Sequence, residues 1–321
     1  MPCRQRDSAV LGVSCVKRPP RNVAASHRAK LLALSRGRGE DFQFLLGRWV
    51  IERFLFRLAA SRHKNSFVLK GAMLYLAWGG EAYRPTRDLD LLGFGNPEVN
   101  DLVARIAEIC SVPAADGIVF DTGAIEAERI REDAEYEGVR VWVPASLDGA
   151  RVTVQIDVGF GDVVVPAPDE VSLSTLLPLD PPVVRAYPIE AVIAEKLQAM
   201  VVLGIANSRM KDFYDLWTFA KTRRFDIRRL ARSIQATFER RRTPLSAMAP
   251  TALTDEFLLD QAKRTQWGAF CRRTGMPEMP FLEVVGRQIR EFLMPAVECA
   301  RGAADQILVW VPPGPWRKAE E

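Results

Sequence analysis

The stretch Thr86-Arg87-Asp88-Leu89-Asp90-Leu91-Leu92, with Phe67-Val68-Leu69-Lys70-Gly71 shortly before it, constrains this chain more than any other part of the sequence. Successive side chains on a strand point to opposite faces, so Asp88 and Asp90 share one face while Leu89 and Leu91 turn into a core. Paired carboxylates on a strand suit Mg²⁺, which takes oxygen ligands, keeps waters and sits between one or two carboxylates and the phosphates of a substrate. That points toward phosphoryl or nucleotidyl chemistry. Taken alone, the two residues fit a solvated edge strand equally well, although aspartate is disfavoured in strands.

A second alternating segment, Arg151 to Phe160, sets Val152, Val154, Ile156 and Val158 on one face and Thr153, Gln155 and Asp157 on the other. Asp157 by itself fits a cross-strand ion pair as well as a catalytic role. If this strand neighbours that of Asp88 and Asp90, three carboxylates converge, enough to hold two Mg²⁺ ions that align a hydroxyl with a triphosphate. In that scheme Asp157 binds the catalytic metal and acts on the nucleophile's proton.

Lys196 lies beside the apolar stripe of its own helix and reaches past it toward a neighbouring surface or site. Asp212 and Asp215 stand three apart at what reads as a helix start, with Arg209 and Lys211 placed to neutralise phosphate oxygens and Asp212 to orient them or Lys196. The dense basic run Lys221, Arg223, Arg224, Arg228, Arg229, Arg232 and Arg240 to Arg242 is either a solvated face or a phosphate-tracking surface.

Length and pattern divide the 321 residues into a flexible basic arm (1–24), an α+β domain (25–180) and a helical domain (181–321). Ser26 to Ser61 predicts two helices interrupted at Gly37-Arg38-Gly39. Strands are expected at Ser66 to Leu69, Asp88 to Leu92, Gly138 to Val143 and Arg151 to Phe160, with helices at Gly71 to Trp78 and Pro97 to Cys110. Prolines crowd Pro178 to Pro188. Beyond them five helices are expected: Ile189 to Leu203, Lys211 to Lys221, Ile227 to Arg240, Thr254 to Arg273 and Phe281 to Ala300.

Composition excludes several classes. With 48% hydrophobic and 26% charged residues, the chain has the makeup of a soluble folded protein. Five cysteines form no Cys-x-x-Cys pair and only His27 and His63 are present, which argues against a structural zinc. No apolar run is long enough for a membrane span, so a reducing cytoplasm is the expected location.

Together the motifs resemble those of the AbiEii/AbiGii-type nucleotidyltransferase toxins, a MenT-like group in the DNA polymerase β-like nucleotidyltransferase superfamily. The resemblance runs from about His27 to Trp316. It rests on Phe67 to Gly71 with Thr86 to Asp90, on Gln155-Ile-Asp157-Val-Gly-Phe, on Glu195-Lys196-Leu, and on Arg209-Met-Lys211-Asp212-Phe-Tyr-Asp215. One departure is Ala72, where Gly or Ser usually follows the glycine.

The resemblance implies a polymerase β-like α+β core, a mixed sheet flanked by helices, followed by a mostly helical domain that completes the site. It implies that Asp88 and Asp90 bind metal, that Lys70, Gly71, Thr86 and Arg87 lie over the nucleotide phosphates, and that Lys196 and Asp212 complete the active site. It further implies Mg²⁺ or Mn²⁺ as cofactor, transfer from an NTP to the 3′ acceptor end of tRNA, and control by a cognate AbiEi-like winged-helix antitoxin. Two alternatives stay open: transfer to a protein or small-molecule hydroxyl, and a nucleotide-binding module without turnover.

Overall fold

A computed structural model describes residues 22–78, 88–133, 136–275, 278–302 and 307–318, the side chains of 131–133 and 136–137 excepted. The N-terminal half runs α1 (Val23–Arg38), α2 (Phe42–Ala60), β1 (Phe67–Lys70), a 3₁₀ segment (Gly71–Leu76), β2 (Asp88–Gly93), α3 (Val99–Cys110), β3 (Ile118–Phe120), β4 (Glu126–Asp133), β5 (Tyr136–Leu147), β6 (Ala150–Phe160), β7 (Asp169–Ser172) and β8 (Val183–Ala186). The helical half follows with α4 (Ile189–Leu203), α5 (Met210–Thr222), β9 (Phe225–Asp226), α6 (Ile227–Arg240), α7 (Asp255–Leu258), α8 (Gln261–Arg273), α9 (Leu282–Ala300), β10 (Leu308–Trp310) and β11 (Trp316–Lys318). Among the described residues no helix is long and apolar enough to cross a membrane.

The main sheet has the order β3-β5-β6-β2-β1-β8-β7, with β4 also paired to β5, along residues 136–142 where β3 takes 145–147. It is mixed, as expected for the α+β class: β2 runs parallel to β6 and β1 to β8, while the β1–β2, β5–β6 and β7–β8 pairs are antiparallel. The β5–β6 register is set locally. Asp148 (φ 46°) and Gly149 (φ 80°) both occupy the left-handed region, the requirement of the two-residue turn that matches strand twist, and Leu147 pairs with Ala150 across it.

One face of this sheet is apolar. Leu89, Leu91, Val139, Val141, Ile156 and Val158 pack into a core with Trp49, Val50 and Phe54 of α2. That core leaves the opposite face of β2 and β6 for polar groups. A second core gathers Phe213, Phe219, Leu230, Phe257, Ile289 and Phe292 in the helical half, and Ala72 and Tyr75 of the 3₁₀ segment join it. Ala72 is 3% exposed, so a methyl group after Gly71 has a packing reason: it ties the turn at the head of β1 to the helical half.

Several expectations are corrected. Val23 and Ala24, assigned to the arm, form the first turn of α1 because the Asn22 side chain accepts from the Ala25 N–H at 3.0 Å. Residues 71–76 are 3₁₀ and not α-helical. The helix expected over Thr254 to Arg273 breaks after Leu258, where Asp260 begins α8 by accepting from the Lys263 N–H at 2.9 Å. β8 carries the sheet past the expected division at 180. The short strands β3, β7 and β8, the longer β4 and the small β9–β10–β11 sheet carry no pattern that the sequence reading used.

A buried ion cluster fastens the N-terminal half. Asp116, 0% exposed, accepts a fork from Arg57 at 2.6 and 2.9 Å, a bond from Arg53 at 3.0 Å and one from the Ile118 N–H at 3.0 Å. Burial pushes this carboxyl up, but the two arginines and the amide outweigh it and hold it below the ordinary carboxylate value. A depressed folded value means stability that is complete above the unfolded value near 4 and lost as pH falls below it. Asp116→Asn leaves Arg53 and Arg57 facing no charge, and is expected to cost about 3 kcal/mol in urea unfolding at pH 7. The difference from the parent should shrink below about pH 4.

Candidate active site

Four adjacent strands bring one row of charges together. Register sets Lys70 of β1 opposite Asp90 of β2, Asp90 opposite Asp157 of β6, and Asp157 opposite Arg140 of β5. Cross-strand partners share a face, so the row reads plus, minus, minus, plus, with Asp88 two residues from Asp90 on the same face. The convergence that the sequence made conditional on neighbouring strands is met: carboxylate oxygens of Asp88, Asp90 and Asp157 lie within 4.8 Å of one another.

Three carboxylates this close repel one another unless cations answer them. Burial, and then the charge of Asp88, push the Asp90 carboxyl up to about 6, although Lys211 and Lys70 pull it down. Asp157 is answered differently: Arg140 donates through Nε at 2.9 Å and Nη2 at 2.8 Å, and the Gln155 amide adds contacts of 3.1 Å to both oxygens. The donor set is all oxygen and carries excess negative charge at Asp90, which fits a hard divalent cation. Arg140 would have to share Asp157 with such an ion.

Gly71 allows this arrangement. Its φ is +68°, and a Cβ there would stand 1.8 Å from Asp90 Oδ2. The turn after β1 therefore lies directly against the acidic set, and no side chain fits between them.

Across from Asp90 the helical half supplies the opposite wall of a cavity of about 410 Å³. Lys196 of α4 donates to Asp212 Oδ1 at 2.5 Å and sits 2.8 Å from Asp215 Oδ2, both on α5. Arg209 completes the cluster at 2.9 Å from Asp212. Burial alone pulls the Lys196 ammonium down, but Asp212 and Asp215 reverse this and hold it above its ordinary value, so it stays charged. Lys211 also lines the cavity.

A third set, which sequence reasoning missed, joins the two halves. Lys70 donates to Asp162 at 2.9 Å and lies 3.4 Å from Glu195. Arg241, just past α6, reaches the same Asp162 at 3.2 Å and also bonds Gln198 at 3.0 Å. Asp162 thus pairs a cation from the sheet with one from the helical half.

Of the expected residues, the structure brings Lys70, Gly71, Asp90, Lys196, Arg209, Lys211 and Asp212 to one cavity. It sets Asp88 and Asp157 beside Asp90, outside that lining. Thr86 and Arg87 lie outside the described residues. Arg140 was also missed, yet the Asp-Gly pair at 148–149 between two alternating segments is a hairpin signal that places residue 140 opposite 157. Asp162 carries no comparable local signal.

Residues 53–294 match the family described as Nucleotidyl transferase AbiEii toxin, Type IV TA system. The chain is also similar to the crystal structure of a candidate nucleotidyltransferase from H. pylori, at 16% identity over 83% of this chain and 100% of that one with a TM-score of 0.48. A second similar structure is JHP933 from Helicobacter pylori, at 17% identity over 82% and 94% of the two chains with a TM-score of 0.47. No curated protein matches.

The raised Asp90 value means that the ionised carboxylate strains the metal-free fold above about pH 6. A raised carboxyl value makes the fold gain stability as pH falls toward the unfolded value, so removing the charge should help at neutral pH. Asp90→Asn in metal-free protein is expected to melt a few degrees higher than the parent at pH 8, with the gain fading by pH 5. Calorimetry in chelator across that range checks it.

Proposed function

The chain belongs to the AbiEii nucleotidyltransferase toxin family of type IV toxin–antitoxin systems, and from that premise we propose that it is a Mg²⁺-dependent enzyme that adds nucleotides to the 3′ acceptor end of tRNA and so blocks translation. Membership makes it a nucleotidyltransferase with an NTP substrate and a cognate antitoxin. The metal, the tRNA acceptor, the winged-helix character of the antitoxin, the cytoplasmic setting and the residue roles below are our reading.

The observation that carries this reading is the acidic set Asp88, Asp90 and Asp157, which reaches the cavity through Asp90 and faces Lys196, Arg209 and Lys211 on the other wall. Asp88, Asp90 and Asp157 would hold the ion. When bound, a divalent cation neutralises triphosphate charge and makes an adjacent hydroxyl more acidic. Lys70, Arg209 and Lys211 line the space where phosphate oxygens of the NTP would lie, and Gly71 lets the backbone approach them. Lys196, held between Asp212 and Asp215 and kept charged, faces the same space. Thr86 and Arg87 are assigned to the phosphates by motif alone.

The reaction is an in-line displacement. The acceptor's 3′ oxygen forms a bond to the α-phosphorus while the bond to the pyrophosphate oxygen breaks. The hydroxyl proton passes to the carboxylate of Asp157, which sits beside Asp90 in the row, and pyrophosphate leaves on the side of the cations.

Purified protein incubated with each labelled NTP, Mg²⁺ and total tRNA is expected to label tRNA, and no label with any NTP would refute the acceptor assignment. Asp88→Ala should lower the rate at least about a thousandfold, the scale of lost electrostatic stabilisation in a dry site, while melting within a few degrees of the parent. Gly71→Ala is expected to abolish transfer as well, because its methyl would displace Asp90. A Gly71→Ala enzyme with parental kcat would contradict the placement of that turn.

A further inference from the structure

Several arginines of the run around α6 bond to neighbouring elements of the fold. Arg223 donates to the Trp78 carbonyl, Arg229 to Glu190 at 2.8 Å, Arg240 to the Gly161 carbonyl at 2.6 Å and Arg241 to Asp162. These hold elements of the fold together. Arg228 and Arg232 are exposed and share one face of α6 with Gln235 and Glu239 at alternating four- and three-residue spacing, and the exposed Arg242 lies just past the helix end.

That face looks onto the C-terminal end of α9 across two adjoining hollows. One, of about 390 Å³, lies between Arg228, Arg232 and Ala300. The other, of about 480 Å³, lies between Glu239, Arg242 and Arg301, and the two share Gln235 and Ala300. Together they form a groove carrying four arginines against one glutamate, and Gln235 already donates to that glutamate at 2.9 Å. From Arg228 to Glu239 the α6 face runs about 16 Å at the helical rise, the span of roughly five nucleotides at 3.4 Å each.

Two features choose the occupant. A protein partner brings an apolar contact core with charges depleted, yet among the described residues none of the exposed large apolar side chains lies in this groove. The groove also ends at the chemistry: Arg240 and Arg241 rest on Gly161 and Asp162, which directly follow β6 and its Asp157. A polyanionic chain lying in the groove is thereby led to the acidic row.

We propose that the α6–α9 groove binds the sugar–phosphate backbone of the acceptor RNA as it enters the catalytic cavity. This rests on the reading that the acceptor is RNA. The contacts are sequence-independent and position the acceptor, leaving any discrimination to its end. NTP binding does not involve them.

The test is the neutral variant R228Q/R232Q/R242Q/R301Q, with its all-lysine counterpart and a control, R36Q/R38Q, on α1. At physiological salt the neutral variant is expected to raise the KM for tRNA about ten- to a hundredfold and to lower the slope of log KM against log salt by about 3. Its kcat, NTP affinity and melting temperature should stay near parental, the lysine variant should recover most of the loss, and the control should match the parent. If the parent transfers to tRNA but the neutral variant keeps parental KM and salt slope, the groove proposal alone is overturned. If the neutral variant keeps those values yet escapes neutralisation by the cognate antitoxin, the groove serves a protein and the proposal is likewise overturned. If the parent labels no RNA at all, the acceptor reading falls first and the groove proposal falls with it.

Discussion

The parallel pairing of β2 with β6 in a single register underlies the whole site. Asp90 stands across from Asp157 only because Leu91 pairs with Val158 and Leu89 with Ile156, and those four apolar side chains are buried at 1% exposure or less. A slip of one residue would turn the carboxylates into the core and the leucines into the cavity. Burial of the apolar face, at roughly 1.5–3 kcal/mol per large side chain, therefore enforces a concentration of negative charge that electrostatics alone would disperse. The fold holds together what its own charges oppose, and Lys70 and Arg140 at the two ends of the row contain the repulsion.

That containment explains why the site is shared between two halves of the chain. The sheet contributes three carboxylates and Lys70; the helical half contributes Lys196, Arg209 and Lys211. On the helical side Lys196 is checked by Asp212 and Asp215, Arg209 by Asp212 and Arg241 by Asp162. In the proposed reaction a triphosphate between the walls would meet Lys196, Arg209 and Arg241 already oriented by neighbouring carboxylates, leaving little reorganisation for the moment of reaction.

How much of this was legible follows from how local each constraint is. The alternation Asp88-Leu-Asp90-Leu and the segment ending in Asp157 expose their faces within a few residues, and both were readable. The α6 helix was readable to its ends because a sustained 3.6-residue period runs through it, and α4 because its apolar run is bounded by Pro188 and Gly204. The break at Leu259-Asp260 was lost because a capping aspartate inside an otherwise periodic stretch resembles one more polar position. β7 and β8 are four residues each, too short to show a period. Asp162 and Arg241 meet across 79 residues of sequence, a pairing that topology makes and spacing does not announce. Arg140 is the intermediate case, readable in principle from the Asp148-Gly149 turn.

The most direct measurement is diffraction from crystals grown with Mn²⁺ and a non-hydrolysable NTP analogue, recorded for anomalous signal. The account expects a peak bounded by carboxylate oxygens of Asp88, Asp90 and Asp157 at about 2 Å, with the triphosphate extending toward Lys211 and Arg209. A peak elsewhere, or an Asp157 still closed in its two-pronged bond with Arg140 while the nucleotide lies outside the cavity, would contradict it.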